Sequence, residues 1–246
     1  MLAPASVAAD PSVRRPRVRW ASELGLLALL YVGYAAARAA ITVHADSAHE
    51  RGHHILRLET IVHLDIEQPL NAFVVAVPAL GLVFAYLYAT LHYMVTPGVM
   101  LWIAVRRADG YRSARNGLLA ATVLGLICYW LLPTAPPRLF DSGFIDVMAV
   151  HSGIGWWGEA ASAPRGMEGL SNQYAAFPSL HVGWAMWVTL SLRDNVGSSA
   201  VRRWAWGYPA LMCVVVMATA NHFLLDAVAG IACVYAGRWL TGRLAR

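Results

Sequence analysis

A chain of 246 residues that is 58 % hydrophobic and only 13 % charged carries more apolar surface than a soluble domain of its size can bury. That composition excludes an ordinary soluble enzyme and predicts a single-domain, all-α polytopic membrane protein, in keeping with a mean hydropathy of +0.50. All 19 basic residues are arginines and the net charge is +5, but most of them flank apolar runs, so they read as topology determinants at a membrane surface and no nucleic-acid partner is expected.

Residues 1–19, rich in Ala, Pro and Arg and without periodicity, read as a flexible cytoplasmic tail, and 20–246 as one transmembrane domain. Behind Arg14, Arg15, Arg17 and Arg19, the apolar stretch Trp20 to Val43 is too long for the core of a cleaved signal peptide and long enough to span. From about 44 to 70, His, Asp, Glu and Arg alternate with Ile and Leu, which predicts an interfacial segment. Asn71 to Arg107 is apolar almost throughout. As one helix it would be roughly 50 Å long against a hydrocarbon core of about 30 Å, so Pro97-Gly98 is expected to break it into a span to about Tyr93 and a shorter continuation. Two crossings there would invert every later helix. Further spans are predicted at about 116–132, 179–192, 204–220 and 221–240, making about six, with an outer loop at about 133–177. Cys128, Cys213 and Cys233 sit inside apolar runs and read as small hydrophobes.

Positive charge gathers in short cytoplasmic loops. With six spans, the tail, Arg106 to Arg115, Arg193 to Arg203 and the C-terminal arginines all fall inside, which predicts a multi-pass plasma (inner) membrane protein. Three polar segments then converge on the extracytoplasmic side: Pro133 to Arg138, Phe177 to His181, and Asn221 to Asp226. Ionisable groups at that depth are costly unless they have a partner or a task.

His222 and Asp226 are four apart in an apolar helical stretch, so the carboxylate can reach the imidazole, fix its tautomer and make the other ring nitrogen a better nucleophile. His181 follows Phe177-Pro-Ser-Leu, where the proline suits a first helical turn and free backbone amides can bind an anion. A histidine there can protonate a departing alkoxide and later activate an acceptor hydroxyl or water.

Phe177-Pro-Ser-Leu-His181 together with Asn221-His-Phe-Leu-Leu-Asp226 resembles the second and third signatures of the type 2 phosphatidic acid phosphatase (PAP2) superfamily. The resemblance covers the second half of the chain and is closest to the inositol phosphorylceramide synthase and sphingomyelin synthase branch. It implies a six-helix membrane bundle, His222 as nucleophile, Asp226 as its support, His181 as acid and base, and no metal or other cofactor. Leu180 stands where the widespread form has Gly, residues 215–220 lack an Arg, and Pro133-Thr-Ala-Pro-Pro-Arg138 replaces the first signature. These departures favour the transferase-like branch.

Arg138 is the candidate phosphate clamp, because a guanidinium can hold two phosphate oxygens as charge builds on phosphorus. Ser179 is a second phosphate-binding candidate, with a helix cap as its plainer role. Arg165, Asn172 and Tyr174 are further residues that could reach an acceptor, and Arg38 reads as snorkelling. The expected partners are a membrane lipid phosphate as donor and a polyol, a lipid alcohol or water as acceptor. The competing readings are a membrane metalloprotease, since His49-Glu50-Arg-Gly-His53 matches H-E-x-x-H, and a non-catalytic lipid-binding or transport protein. Gly52 and the lack of a flanking apolar face weaken the first of these.

Overall fold

Pro78, and not Pro97, divides the long apolar stretch. In the computed structural model, which describes residues 21–23, 25–26, 28–29, 32–33, 45–141, 143–158, 165–166 and 172–244, Val77 is extended, with φ −121° and ψ 90°. A proline ring disfavours the α conformation in the residue before it, so a short helix ends at Ala76 and a new one opens on Pro78. The second helix then runs unbroken to Arg106 with Pro97 inside it. Loss of one backbone hydrogen bond at a proline can be absorbed within a membrane helix. The expected break at Pro97-Gly98 is thus corrected to Val77, and residues 78–106 pass through the bundle once.

The order is α1 (Ala45–Ile61), α2 (Glu67–Ala76), α3 (Pro78–Arg106), α4 (Ala108–Leu131), a 3-10 turn (Pro137–Leu139), α5 (Val147–Val150), α6 (Leu180–Asn195), α7 (Ser199–Trp204), α8 (Gly207–Ala218) and α9 (Leu224–Leu244). Among the described residues there is no strand, only one parallel bridge, Thr134 to Ala175. The tail and most of the expected first span lie outside the described residues; those described between 21 and 33 are helical.

Helices α3, α4 and α9 are each long and apolar enough to cross a membrane. With 16 and 12 residues, α6 and α8 reach only about 24 and 18 Å, and α6 is the inner helix, packed against α3, α4, α8 and α9. Two expected spans start later than the apolar runs implied. The first is interrupted at Ala205 and Trp206, and the second starts only at Leu224.

Small residues set the spacing of this bundle. A Cβ added at Gly230 of α9 would lie 2.1 Å from the Ser179 carbonyl oxygen, and one at Gly183 of α6 would lie 2.9 Å from the Gly230 carbonyl. Gly237 approaches the backbone of Ala121 and Gly117 on α4 just as closely, and Gly125 receives the Leu180 side chain. These contacts bring the beginnings of α6 and α9 together. Their far ends are joined by Arg238 to Asp194 at 2.6 Å, and Arg115 meets Glu23 at 2.5 Å near the start of α4.

Two apolar cores fill the bundle. One joins Tyr88, Val182, Met212, Val216 and Trp157 around the polar end, and the other joins Ile103, Tyr111, Trp187 and Val234. The indole N–H groups of Trp157 and Trp187 donate to the carbonyls of Met148 and Ala114 at 2.9 and 2.8 Å, so both buried rings are satisfied. Gly230→Ala is expected to lower the stability of the detergent-solubilised protein by roughly 1–3 kcal/mol, because its methyl meets rigid backbone. Gly242→Ala, which meets nothing within 4 Å on the same helix, is expected to leave thermal melting unchanged or raise it slightly. Equal melting shifts for the two would contradict the close-packing account.

Candidate active site

Helix α8 ends in a reversal that aims His222. The amides of Ala220 and Asn221 donate to the carbonyls of Met217 and Val216 at 2.9 and 3.0 Å, the paired bonds of a Schellman cap, with Ala220 in the left-handed region at φ 56°. Glycine is usual at that position because a Cβ costs about 1–2 kcal/mol there. The carbonyl of Ala220 accepts from Arg138 N at 2.8 Å, which ties the reversal to the 3-10 turn.

His222 lies before α9, not within it, so the one-face helical pairing expected from its spacing to Asp226 is corrected. Asp226 occupies the third position of the helix and folds back: its Oδ2 accepts from Phe223 N at 2.9 Å and stands 3.4 Å from His222 Nδ1. The shorter contact of Nδ1 is to the Ala176 carbonyl, at 2.8 Å. A carbonyl oxygen can only accept, so Nδ1 carries the proton and Nε2 keeps its lone pair. Asp226 then adds charge stabilisation to a tautomer that the 172–178 segment already selects. Both side chains are buried, Asp226 completely.

The three converging segments expected from the sequence do meet. Thr134 N donates to Tyr174 O at 2.7 Å, Ser179 N to Asp226 O at 2.8 Å, and Tyr129 of α4 to Pro178 O at 2.8 Å. His181, in the first turn of α6, has its ring centroid 5.8 Å from that of His222. Tyr88 stacks on it at 4.3 Å and His92 meets it edge-on at 4.3 Å. Neither α3 residue was singled out from the sequence. An ionisable His92 within an apolar span was the available signal.

Arg138 is nearly buried. It donates through Nε to Asn221 Oδ1 at 3.1 Å and through Nη1 to Asp146 at 3.3 Å. With His222, Tyr88, Asn172, Gln173 and Asn221 it lines a cleft of about 290 Å³ including its mouth. Ser179 does not line this cleft. Its hydroxyl is buried and caps α6 by accepting from Val182 N at 3.5 Å, so the helix-cap role is the one its geometry supports. Pro178 consequently precedes the cap and does not enter the first turn.

Of the other candidates, Asn172 reaches the cleft, while Arg165 is turned to the carbonyls of Trp157 and Ser152. Tyr174 faces His49 of α1. Arg38 lies outside the described residues. Helix α1 runs through Gly52, whose missing side chain lets the helix approach the Ala135 carbonyl and the Phe140 ring. His53 stacks on Phe140 with centroids 4.1 Å apart, and His54 pairs with Glu50 at 3.6 Å. No three His, Cys, Asp or Glu side chains among the described residues are grouped to hold a metal ion.

Two glutamates were also missed as parts of this region. Glu59 of α1 and Glu67 of α2 are buried, and their Oε1 atoms accept from the amides of Leu225 and Leu224, each at 2.7 Å. Acids in a mixed polar segment ordinarily face water, and only the approach of α1 and α2 to the start of α9 distinguishes these two.

The protein-family model described as the PAP2 superfamily matches residues 53–240. No curated protein and no solved structure matches the chain. The matched region runs from α1 into the last turns of α9 and includes His181, His222, Asp226 and Arg138. The chain therefore belongs to the PAP2 superfamily, whose members share a helical membrane fold and are generally phosphatases acting on phosphate esters.

Proposed function

We propose that the protein is a membrane lipid phosphatase or phosphotransferase of the transferase-like branch, working at the extracytoplasmic face of the plasma (inner) membrane on a lipid phosphate ester. The observation that carries this reading is the 2.8 Å contact of His222 Nδ1 with the Ala176 carbonyl, which leaves Nε2 as the ring's free nitrogen, in a cleft that the ring shares with Arg138.

In the first half-reaction the Nε2 lone pair of His222 attacks phosphorus and a P–N bond forms. The P–O bond to the leaving alcohol breaks, and His181 gives that oxygen its proton. Arg138 offsets the negative charge on the non-bridging oxygens. In the second, His181 takes the proton of an acceptor hydroxyl or water, the acceptor oxygen attacks phosphorus, and the P–N electron pair returns to Nε2. Asp226 and the Ala176 carbonyl keep Nδ1 protonated throughout. Orphan charge near the cleft is limited, since Arg138 is already partnered by Asp146.

His222→Ala is expected to abolish both the acid-labile phosphoenzyme and turnover of a short-chain phosphatidate in detergent. Retained turnover would sink the mechanism. His181→Ala is expected to slow release of a lipid alcohol by roughly 10²–10⁴, but to slow release of p-nitrophenol, a leaving group that needs no proton, far less. Equal losses on the two substrates would remove His181 from the acid role. Products analysed by mass spectrometry with and without a polyol acceptor separate the two outcomes: inorganic phosphate alone marks a hydrolase, and a polyol phosphate, or a new phosphodiester when the donor is itself a phosphodiester, marks a transferase.

A further inference from the structure

Resting on the proposed transfer at His222, we propose that Glu59 and Glu67 are positioning residues that share one proton and, by holding the first two amides of α9, keep His222 and Asp226 aligned. Neither touches substrate in this scheme. Their part is to fix where the helix that carries Asp226 begins.

The geometry demands an unusual protonation state. Glu59 and Glu67 are 1 % and 0 % exposed. Each gives Oε1 to one of two successive backbone N–H groups, Glu67 to Leu224 and Glu59 to Leu225, which sets the two buried carboxyls side by side at the start of α9. Their Oε2 atoms are buried and have no hydrogen-bond donor. Two ionised carboxylates are acceptors only, so a proton held by one of the pair is what would give these buried Oε2 atoms a hydrogen bond. Adding Asp226, which binds Phe223 N, gives three carboxyl groups on three successive amides. A second negative charge in the pair would repel both its partner and Asp226.

The groups facing the pair are few. Asp226 of α9 acts on both glutamates, and His222 lies behind it. Arg138 is turned to Asp146 and Asn221, Asn71 of α2 is bound to Ile145 and Ala218, and Arg57, His63 and Asp65 are exposed. Burial foremost, with help from Glu67 and Asp226, pushes the Glu59 carboxyl from 4.5 up to about 8, and burial raises Glu67 as well. Between pH 4.5 and about 8 the folded protein therefore keeps a proton that the unfolded chain has released. Stability from this source is complete at the acid end of that window and declines as the pH rises through it.

The test compares the full-length protein with Glu59→Gln and Glu67→Gln at pH 6 and pH 9, by thermal melting and by phosphate release from a short-chain phosphatidate. A glutamine keeps the acceptor for the α9 amide and replaces the shared proton with an N–H that cannot be lost. One unit above a value of about 8, roughly one molecule in eleven retains the proton, so the unsubstituted protein should lose about tenfold in kcat and melt lower at pH 9. Either glutamine variant should match it at pH 6 and escape most of both declines, and Glu67→Gln serves if Glu59→Gln does not fold. Parallel pH profiles, or a glutamine variant already inactive at pH 6, would overturn the proposal. If no protein in the set releases phosphate, the functional reading fails instead, and the melting profiles alone decide whether the pair shares a proton.

Discussion

The start of α9 is the constraint on which the rest of this molecule turns. Its first free amides are not left to water: Asp226 takes Phe223 N, Glu67 takes Leu224 N and Glu59 takes Leu225 N. Buried amides without acceptors are costly, and Phe223, just before the helix, has no side-chain oxygen to offer. Two of the three acceptors come instead from helices more than 150 residues away in sequence. The same closure leaves this helix terminus unavailable to an anion, so in the proposed reaction a phosphoryl group would be met by Arg138 and the side-chain amides of Asn172 and Gln173, which line the cleft.

Close approach of α6 and α9 supplies the second condition. With Gly183 and Gly230 facing each other, the helices come near enough for Ser179 N to reach Asp226 O and for the rings of His181 and His222 to stand 5.8 Å apart. The arrangement is anchored at the other end by Asp194 and Arg238. A site assembled from the first turns of two helices inherits its precision from that contact, since a shift of one helix moves a complete half of the site.

His222 illustrates how the two conditions meet. Its ring is gripped on one nitrogen by the carbonyl of Ala176, from a segment that is itself bridged to Thr134, and by Asp226 from α9. The left-handed Ala220 turns the chain from α8 into this grip. Strain of that kind persists only where the surroundings over-determine the conformation, and here the Arg138 amide and two cap bonds do so.

By itself, the sequence determined the all-α membrane class and the gathering of segments 133–138, 177–181 and 221–226, because hydropathy, arginine placement and local motifs are properties of short stretches. Even within one stretch it was misleading where two local rules competed: Pro97 sits inside a helix while Pro78 begins one, and the i, i+4 spacing of His222 and Asp226 arises from a folded-back carboxylate and not from a shared helical face. Only the tertiary structure decided that Glu59 and Glu67 face the start of α9 and that Tyr88 and His92 flank His181. Each of these is a contact between distant segments, and a buried acid and a solvated acid are written with the same letter until another helix's amides arrive beside one of them.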